Sequence, residues 1–225
     1  LFVNLNKGQF VEATNRSGID IPMQAMGVAV ADYDGDGKPD VFISAVGQDH
    51  LFHNVTELRG VPRFEDVTER ALPKEEQWGA SAGFFDYDRD GDLDLFVCNY
   101  VRWTRAIDKA QDFTLAGIGR AYGPPRTFGG SAPNFFVNQG NGHFTERAAA
   151  AGLVVQDPVT KAPAAKSLGV GLLDLDDDRC PDLVVANDTV RNYLFRNRCD
   201  GTFEEIGVTS GVAYDGTGNA RSGMG

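Results

Sequence analysis

Soft metal ligands and groups that exchange protons near neutral pH are scarce in this chain: three cysteines and three histidines in 225 residues. HExxH, CxxC and P-loop patterns are missing, so metallopeptidase, dithiol and nucleotide-phosphate chemistry have no support. His50, His53 and His143 are read as exposed turn residues rather than ligands or bases. No apolar stretch approaches the roughly 18 residues that cross a bilayer as a helix. Low-complexity tracts are absent too, and 42% apolar residues are enough to build one ordinary globular core. Helical periodicity is nearly lacking. Only the Ala-rich ERAAAAGL at 146–153 hints at a helix.

Aspartate is what the chain has in excess, and it is concentrated. DYDGDGKPD at 32–40, DYDRDGDLD at 86–94 and DLDDDRCPD at 174–182 carry −3, −4 and −4. The net charge is −11, so the remainder of the chain is neutral overall. Acidity confined to three short stretches argues against nucleic acid and points to a cation.

The acidic stretches begin 54 and 88 residues apart, and a second motif alternates with them. It reads LFVNLNKGQFVE from 1, LFHN from 51, FFVNQGNGHFTE from 135 and LFRNRCDGTFEE from 194. GMG at 223–225 matches AMG at 25–27. Each unit reads as four runs of about five residues, with β-branched and aromatic enrichment and turns of Gly and Asn between them. Such units predict an all-β fold, a β-propeller of four-stranded antiparallel blades. A parallel β-helix or a two-sheet sandwich is the alternative. The small residues of GVAVA (27–31), SAGFF (81–85) and GVGLL (169–173) suit a crowded inner strand. The repeat units run 1–50, 51–98, 134–186 and 187–225, with an insertion at 99–133.

Two carboxylates about 5 Å apart repel by roughly 3 kcal/mol at an effective dielectric of about 20. Four in one turn call for a cation, and oxygen ligands at alternate positions suit Ca²⁺. The expected side-chain ligands are Asp32, Asp34, Asp36 and Asp40; Asp86, Asp88, Asp90 and Asp94; and Asp174, Asp176, Asp178 and Asp182. Position 7 offers a backbone carbonyl from Lys38, Asp92 and Cys180. An EF-hand loop would need Glu at position 12, where Ile43, Val97 and Val185 stand instead. These are strand-to-strand turns closed by the ninth-position Asp. Arg179 replaces the glycine found at position 6 in the other two, which marks the third as the weakest site.

If the hairpin between Cys180 and Cys199 turns between Thr189 and Val190, Asp182 faces Asn197 and Cys180 faces Cys199. That separation suits a disulfide. Cys98, in the place of Ser44 and Ala186, reads as a small buried residue. A disulfide and calcium together indicate an exported chain: periplasmic, cell-surface or extracellular. Sequons stand at Asn15, Asn54 and Asn187.

Strand, DxDxDGxxD, strand, LFxN and GxF together resemble the FG-GAP/VCBS repeat. NYVRW, GPPRTFGGSAPNFF and VANDTVRNYLFRNRCDGTFEE are similar to the ASPIC/UnbV-associated, cartilage acidic protein-like family. The resemblance implies a calcium-bearing propeller, usually of seven blades, of which about four units would be present here as a portion of a longer protein. It also implies adhesion or assembly rather than catalysis.

The insertion carries Tyr100, Arg102, Trp103, Arg105, Arg120, Tyr122 and Arg126 and a net charge of +3. Those residue types are enriched at binding hot spots, so the segment is either a contact surface for a protein or glycan, or a flap over its own sheet. The function expected is a scaffold or interaction module. A lyase-like carbohydrate-active enzyme on a similar propeller, and a structural subunit of a larger envelope complex, are the alternatives.

Overall fold

The computed structural model describes residues 1–57 and 60–223, so part of the LFHN-to-RFED segment and the end of GMG lie outside the described residues. A two-stranded hairpin, β1 (Phe2–Asn4) and β2 (Phe10–Glu12), leads into three groups of four antiparallel strands. The first group is β3 (Ala25–Ala31), β4 (Asp40–Gly47), β5 (His50–Asn54) and β6 (Phe64–Asp66). The second is β7 (Gln77–Phe85), β8 (Asp94–Asn99), β11 (Asn134–Asn138) and β12 (Phe144–Glu146). The third is β13 (Ser167–Leu173), β14 (Asp182–Asn187), β15 (Tyr193–Asn197) and β16 (Phe203–Glu205). Within each group the strands pair in chain order. A short pairing of Val46 with Trp78 and Gly47 with Gln77 joins the first two groups into one curled sheet.

This all-β arrangement fits a partial β-propeller. Each sheet gathers the two strands around an acidic turn with the LFxN and GxF strands that follow it. Sheets therefore span 25–66, 77–146 and 167–205, and the sequence units straddle them.

Strand alternation builds the core between sheets. Leu95 and Val97 of β8 pack with Phe42, Leu51 and Phe136 in one apolar cluster, toward the first sheet. Phe96 and Cys98, on the opposite face, pack with Phe135, Leu183, Val185 and Phe195 toward the third. The middle sheet is covered on both faces, and every residue of β8 and β11 is buried. Sheets covered on both sides read as near-continuous apolar runs, as LFVC and NFFVN do. The outer face of β3 lacks such a neighbour, leaving Met26, Val28 and Val30 exposed.

The small residues of the inner strands have a steric cause. A Cβ at Gly27 would come within 2.6 Å of the Ala80 carbonyl oxygen, and one at Gly83 within 2.9 Å of Leu172. Where β3 meets β7 at Gly27 only glycine fits, whereas the neighbour of Gly83 is the end of a side chain that can turn aside.

Helix is sparse, and it does not fall where the sequence hinted. ERAAAAGL forms a hydrogen-bonded turn, not a helix, because Gly152 at φ +81° ends it against the backbone of Phe203. Helices occur at α1 (Thr14–Ser17), α2 (Thr68–Ala71) and α3 (Arg105–Gln111). The last lies in the insertion, capped by Thr104 Oγ1 accepting from the Ile107 amide at 3.1 Å. The insertion also contains the small hairpin β9 (Thr114–Leu115) and β10 (Gly119–Arg120). Two of the sequons are interior: Asn54 and Asn187 are buried.

One contact recurs between sheets. Asn138 Nδ2 at the end of β11 donates to the Tyr33 carbonyl of the preceding sheet at 2.8 Å and to Leu93 O at 3.2 Å. Asn197 Nδ2 at the end of β15 donates likewise to Tyr87 O at 2.8 Å and Pro181 O at 3.2 Å. Breaking such a buried link strands two carbonyls, at a cost of about 1–3 kcal/mol for each buried group left unpaired. Asn197→Ala is therefore expected to lower stability by roughly 2–4 kcal/mol. Urea unfolding of the full-length protein in calcium would show it as a lowered midpoint at unchanged slope.

Candidate metal centres

Each acidic turn bridges the first and second strands of its sheet, and the ninth-position aspartate is the first residue of the second strand. Asp40, Asp94 and Asp182 are almost completely buried. Asp40 Oδ2 accepts from the Tyr33 amide at 3.2 Å, and its Oδ1 from the Asn54 amide at 2.7 Å. Asp94 accepts from Tyr87 and Asn138 at 3.1 and 2.9 Å, and Asp182 from Leu175 and Asn197 at 2.8 and 2.8 Å. One carboxylate thus pins the start of the turn to the asparagine of LFxN. A buried carboxylate held this way fixes the turn more firmly than a solvated one.

The first-position aspartates close the turn from within. Asp32 Oδ2 accepts from Gly37 N at 2.8 Å, Asp86 Oδ2 from Gly91 N at 3.1 Å and Asp174 Oδ2 from Arg179 N at 2.9 Å. This demands a left-handed backbone at positions 4 and 6 in all three turns: Gly35 and Gly37, Arg89 and Gly91, Asp177 and Arg179. The first turn has glycine at both, the second at one, the third at neither. The strain noted at Arg179 is real, and Asp177 adds to it.

The carboxylates converge. Ligand atoms of Asp32, Asp34 and Asp40 lie within 4.8 Å of one another, as do those of Asp86, Asp88 and Asp90, and those of Asp174, Asp176 and Asp182. In the second turn Asp94 stands apart from that group, and in the third Asp178 does. Asp178 instead lies beside Cys180 and Cys199. These two cysteines form the expected disulfide, with Cα atoms 5.8 Å apart, so neither sulfur is a free thiolate ligand. Cys98 is free and buried, as expected.

Lys38 turns its side chain onto Asp36, Nζ to Oδ2 at 3.0 Å. Burial raises the pKa of Asp94 to about 7, with the charges of Asp88 and Asp90 adding to it. Burial likewise pushes Asp40 and Asp88 up. A cation among these carboxylates would oppose that rise by favouring their charged forms. A hard divalent cation fits the residues present: the donors are oxygens, and Asp32 Oδ1 is buried with no hydrogen-bond partner.

Several sequence expectations need correction. The hairpin register is one residue off, with Leu183 opposite Phe195 and Val185 opposite Tyr193. Asn187 ties both its amide and its side chain to the turn, to Asn192 Oδ1 and Arg191 O, which shifts the turn's centre. Tyr100 is not free for a partner, since its hydroxyl donates to Asp188 Oδ2 at 2.6 Å and so ties the insertion to the third sheet. Arg120 is engaged with Asp108 at 3.1 Å. Arg102, Trp103, Arg105, Tyr122 and Arg126 are exposed. His53 is a strand residue facing the first turn, its Nδ1 3.2 Å from both Asp34 and Asp40.

GASAG at 79–83 has the GxSxG spacing of a nucleophile elbow. It lies inside β7 with Ser81 opposite Cys98, not at the strand-to-helix turn that chemistry requires.

Substituting Arg179 by glycine is expected to tighten cation binding at the third turn by roughly fivefold, the equivalent of about 1 kcal/mol of relieved strain. Calorimetric titration of calcium into the full-length protein and its Arg179→Gly variant would measure it.

Residues 1–43 match the family model of the FG-GAP-like repeat. Cartilage acidic protein 1 of Homo sapiens is 32% identical over 102 residues, which are 44% of this chain and 15% of that protein. The Mus musculus and Xenopus tropicalis proteins of the same name are 31% and 29% identical over stretches of the same length. The match thus spans about 15% of the length of these curated relatives. With the repeated sheets and turns, these matches make the chain similar to FG-GAP-like repeats over residues 1–43 and to cartilage acidic protein 1 over 102 residues.

Proposed function

We propose that this chain is a portion of an exported, calcium-bearing β-propeller that serves as a scaffold or interaction module and carries out no catalysis. The observation that carries the proposal is the threefold recurrence of a buried Asp that fastens a carboxylate-lined turn to the asparagine of the same sheet. A turn built for catalysis would not be repeated at equivalent places in successive sheets, whereas a turn that stiffens each sheet would be.

In this reading the side chains at turn positions 1, 3, 5 and 9, with the carbonyls of Lys38, Asp92 and Cys180, would hold calcium. The ion would neutralise the clustered carboxylates and stiffen the turn. The three four-stranded sheets would be blades, and β1–β2 the outer pair of a further one, in a propeller of about seven. The Cys180–Cys199 disulfide supports an oxidising, exported setting. The relatives' name describes an acidic protein of cartilage, and acidity is shared here. Exposed Arg102, Trp103, Arg105, Tyr122 and Arg126 would form the contact surface for a protein or a glycan.

The test uses the full-length protein as bait against cell-envelope or matrix extract, in about 1 mM calcium, within the range of extracellular modules, and again with excess chelator. Retention of a partner in calcium and its loss in chelator is expected. Chemical processing of an extract glycan with no partner retained would contradict the proposal and favour an enzyme.

A further inference from the structure

We propose that the insertion carries a binding groove for an anionic glycan, a chain of pyranose rings bearing carboxylate or sulfate groups. The inference rests on the interaction-module reading and names the class of ligand for its contact surface.

Two adjoining cavities make the groove. The first, of about 160 Å³, is lined by Trp78, Tyr100, Trp103, Tyr122 and Phe128, with Asp108 its one charged side chain. Trp78 meets Trp103 and Tyr100 at near right angles, with ring centroids 5.8 and 5.6 Å apart. The second, of about 370 Å³, is lined by Arg105, Lys109 and Arg120, and it shares Asp108 and Tyr122 with the first. Arg105 and Lys109 stand four residues apart on α3 and so share a helix face. Asp108 is paired with Arg120 at 3.1 Å, which leaves Arg105 and Lys109 without an ion pair among the described residues. Tyr122, at the junction, is 92% exposed. The groove is therefore aromatic at one end and basic at the other.

The groove is fastened before any ligand arrives. A bridge between Val101 and Gly130 closes the base of the insertion. The Tyr100 hydroxyl donates to Asp188 at 2.6 Å, and Lys166 Nζ donates to the Pro125 carbonyl at 3.0 Å, so the insertion is tied to the third sheet at two places. A site held in this way loses little freedom on binding. The acidic turns do not cancel its charge. β8 runs from Asp94 at the acidic turn to Asn99 at the insertion, about 17 Å of extended strand. That exceeds the screening length of about 8 Å at physiological salt.

Charge complementarity calls for an anion, and the aromatic end decides which kind. A pyranose ring sets an apolar C–H face against an aromatic wall and carries its carboxylate or sulfate at the ring's edge. One sugar unit can therefore occupy the first cavity and reach Arg105 and Lys109 in the second. The first cavity is smaller than the roughly 300–1,000 Å³ of sites for drug-sized ligands, so it takes a single ring. Arginine suits the charged group, because its planar fork matches planar or tetrahedral oxyanions. An acidic peptide would supply the charge but no apolar ring face beside it.

The experiment is calorimetric titration of the full-length protein in calcium and about 0.15 M salt. The probes are a heparin-derived hexasaccharide bearing uronate and sulfate, its desulfated counterpart, neutral maltohexaose, and polyglutamate matched in charge to the first. The sulfated hexasaccharide is expected to bind at least about tenfold more tightly than maltohexaose or polyglutamate. Its desulfated counterpart tells whether carboxylate alone suffices or sulfate is needed. Trp103→Ala, and Arg105→Gln combined with Lys109→Gln, should each weaken that binding at least about fivefold, as loss of an anchor does. The second variant changes only exposed side chains of a helix that buries none, so it stands if Trp103→Ala fails to fold. Equal binding of polyglutamate, undiminished binding by the double variant, or no binding of either charged sugar would overturn the inference. A protein partner retained from extract in calcium, with no sugar bound, would overturn this inference alone. With neither partner nor sugar bound, the interaction-module reading would fall with it.

Discussion

A buried carboxylate that accepts two backbone amides, one from its own turn and one from the next strand of its sheet, holds each repeat together. Asp40, Asp94 and Asp182 all do this. The asparagines whose amides they bind send their side chains to the backbone at the foot of the turn, and two of them reach the sheet before. Turn, sheet and inter-sheet contact are therefore one hydrogen-bonded unit, repeated with the sheets. Apolar alternation fills the space between sheets, but this unit sets how neighbouring sheets meet.

The same unit explains why the acidity is tolerated. Clustered carboxylates in a partly desolvated turn repel one another, and burial has already raised the pKa of Asp94 to about 7. Backbone amides relieve part of the charge, and a cation would relieve the remainder. The turns relax differently according to their glycines. The first is free to adopt two left-handed residues without cost, whereas the third forces Asp177 and Arg179 into that region. A disulfide beside the third turn anchors the turn with the fewest glycines.

Much of this was legible in the sequence because it repeats. Aspartates at alternate positions, directly before an apolar run, identify strand-to-strand turns. The small residues of GVAVA and SAGFF marked the inner strands, where Gly27 proves sterically necessary against the Ala80 carbonyl. Other features depend on geometry that spacing does not encode. The LFxN asparagine was visible as a motif, yet its role needs the third dimension, since its partners lie in another strand and another sheet. The hairpin register slipped by one because Asn187 and Asn192 reshape a turn whose centre no residue pattern marks. His53 looked like a turn residue, yet it stands on β5, and the pairing of β5 with β4 places it beside the first turn. Helix α3 escaped because its seven residues bury no side chain and so carry no apolar stripe.

The most direct measurement is an anomalous-difference map from crystals of the full-length protein grown in calcium, with a long-wavelength data set and a lanthanide-exchanged one. The account predicts a peak within the carboxylates of each of the three turns, weakest at the third. Well-ordered turns with no peak at any of them would contradict it, because the repeated aspartates would then be held by backbone amides alone.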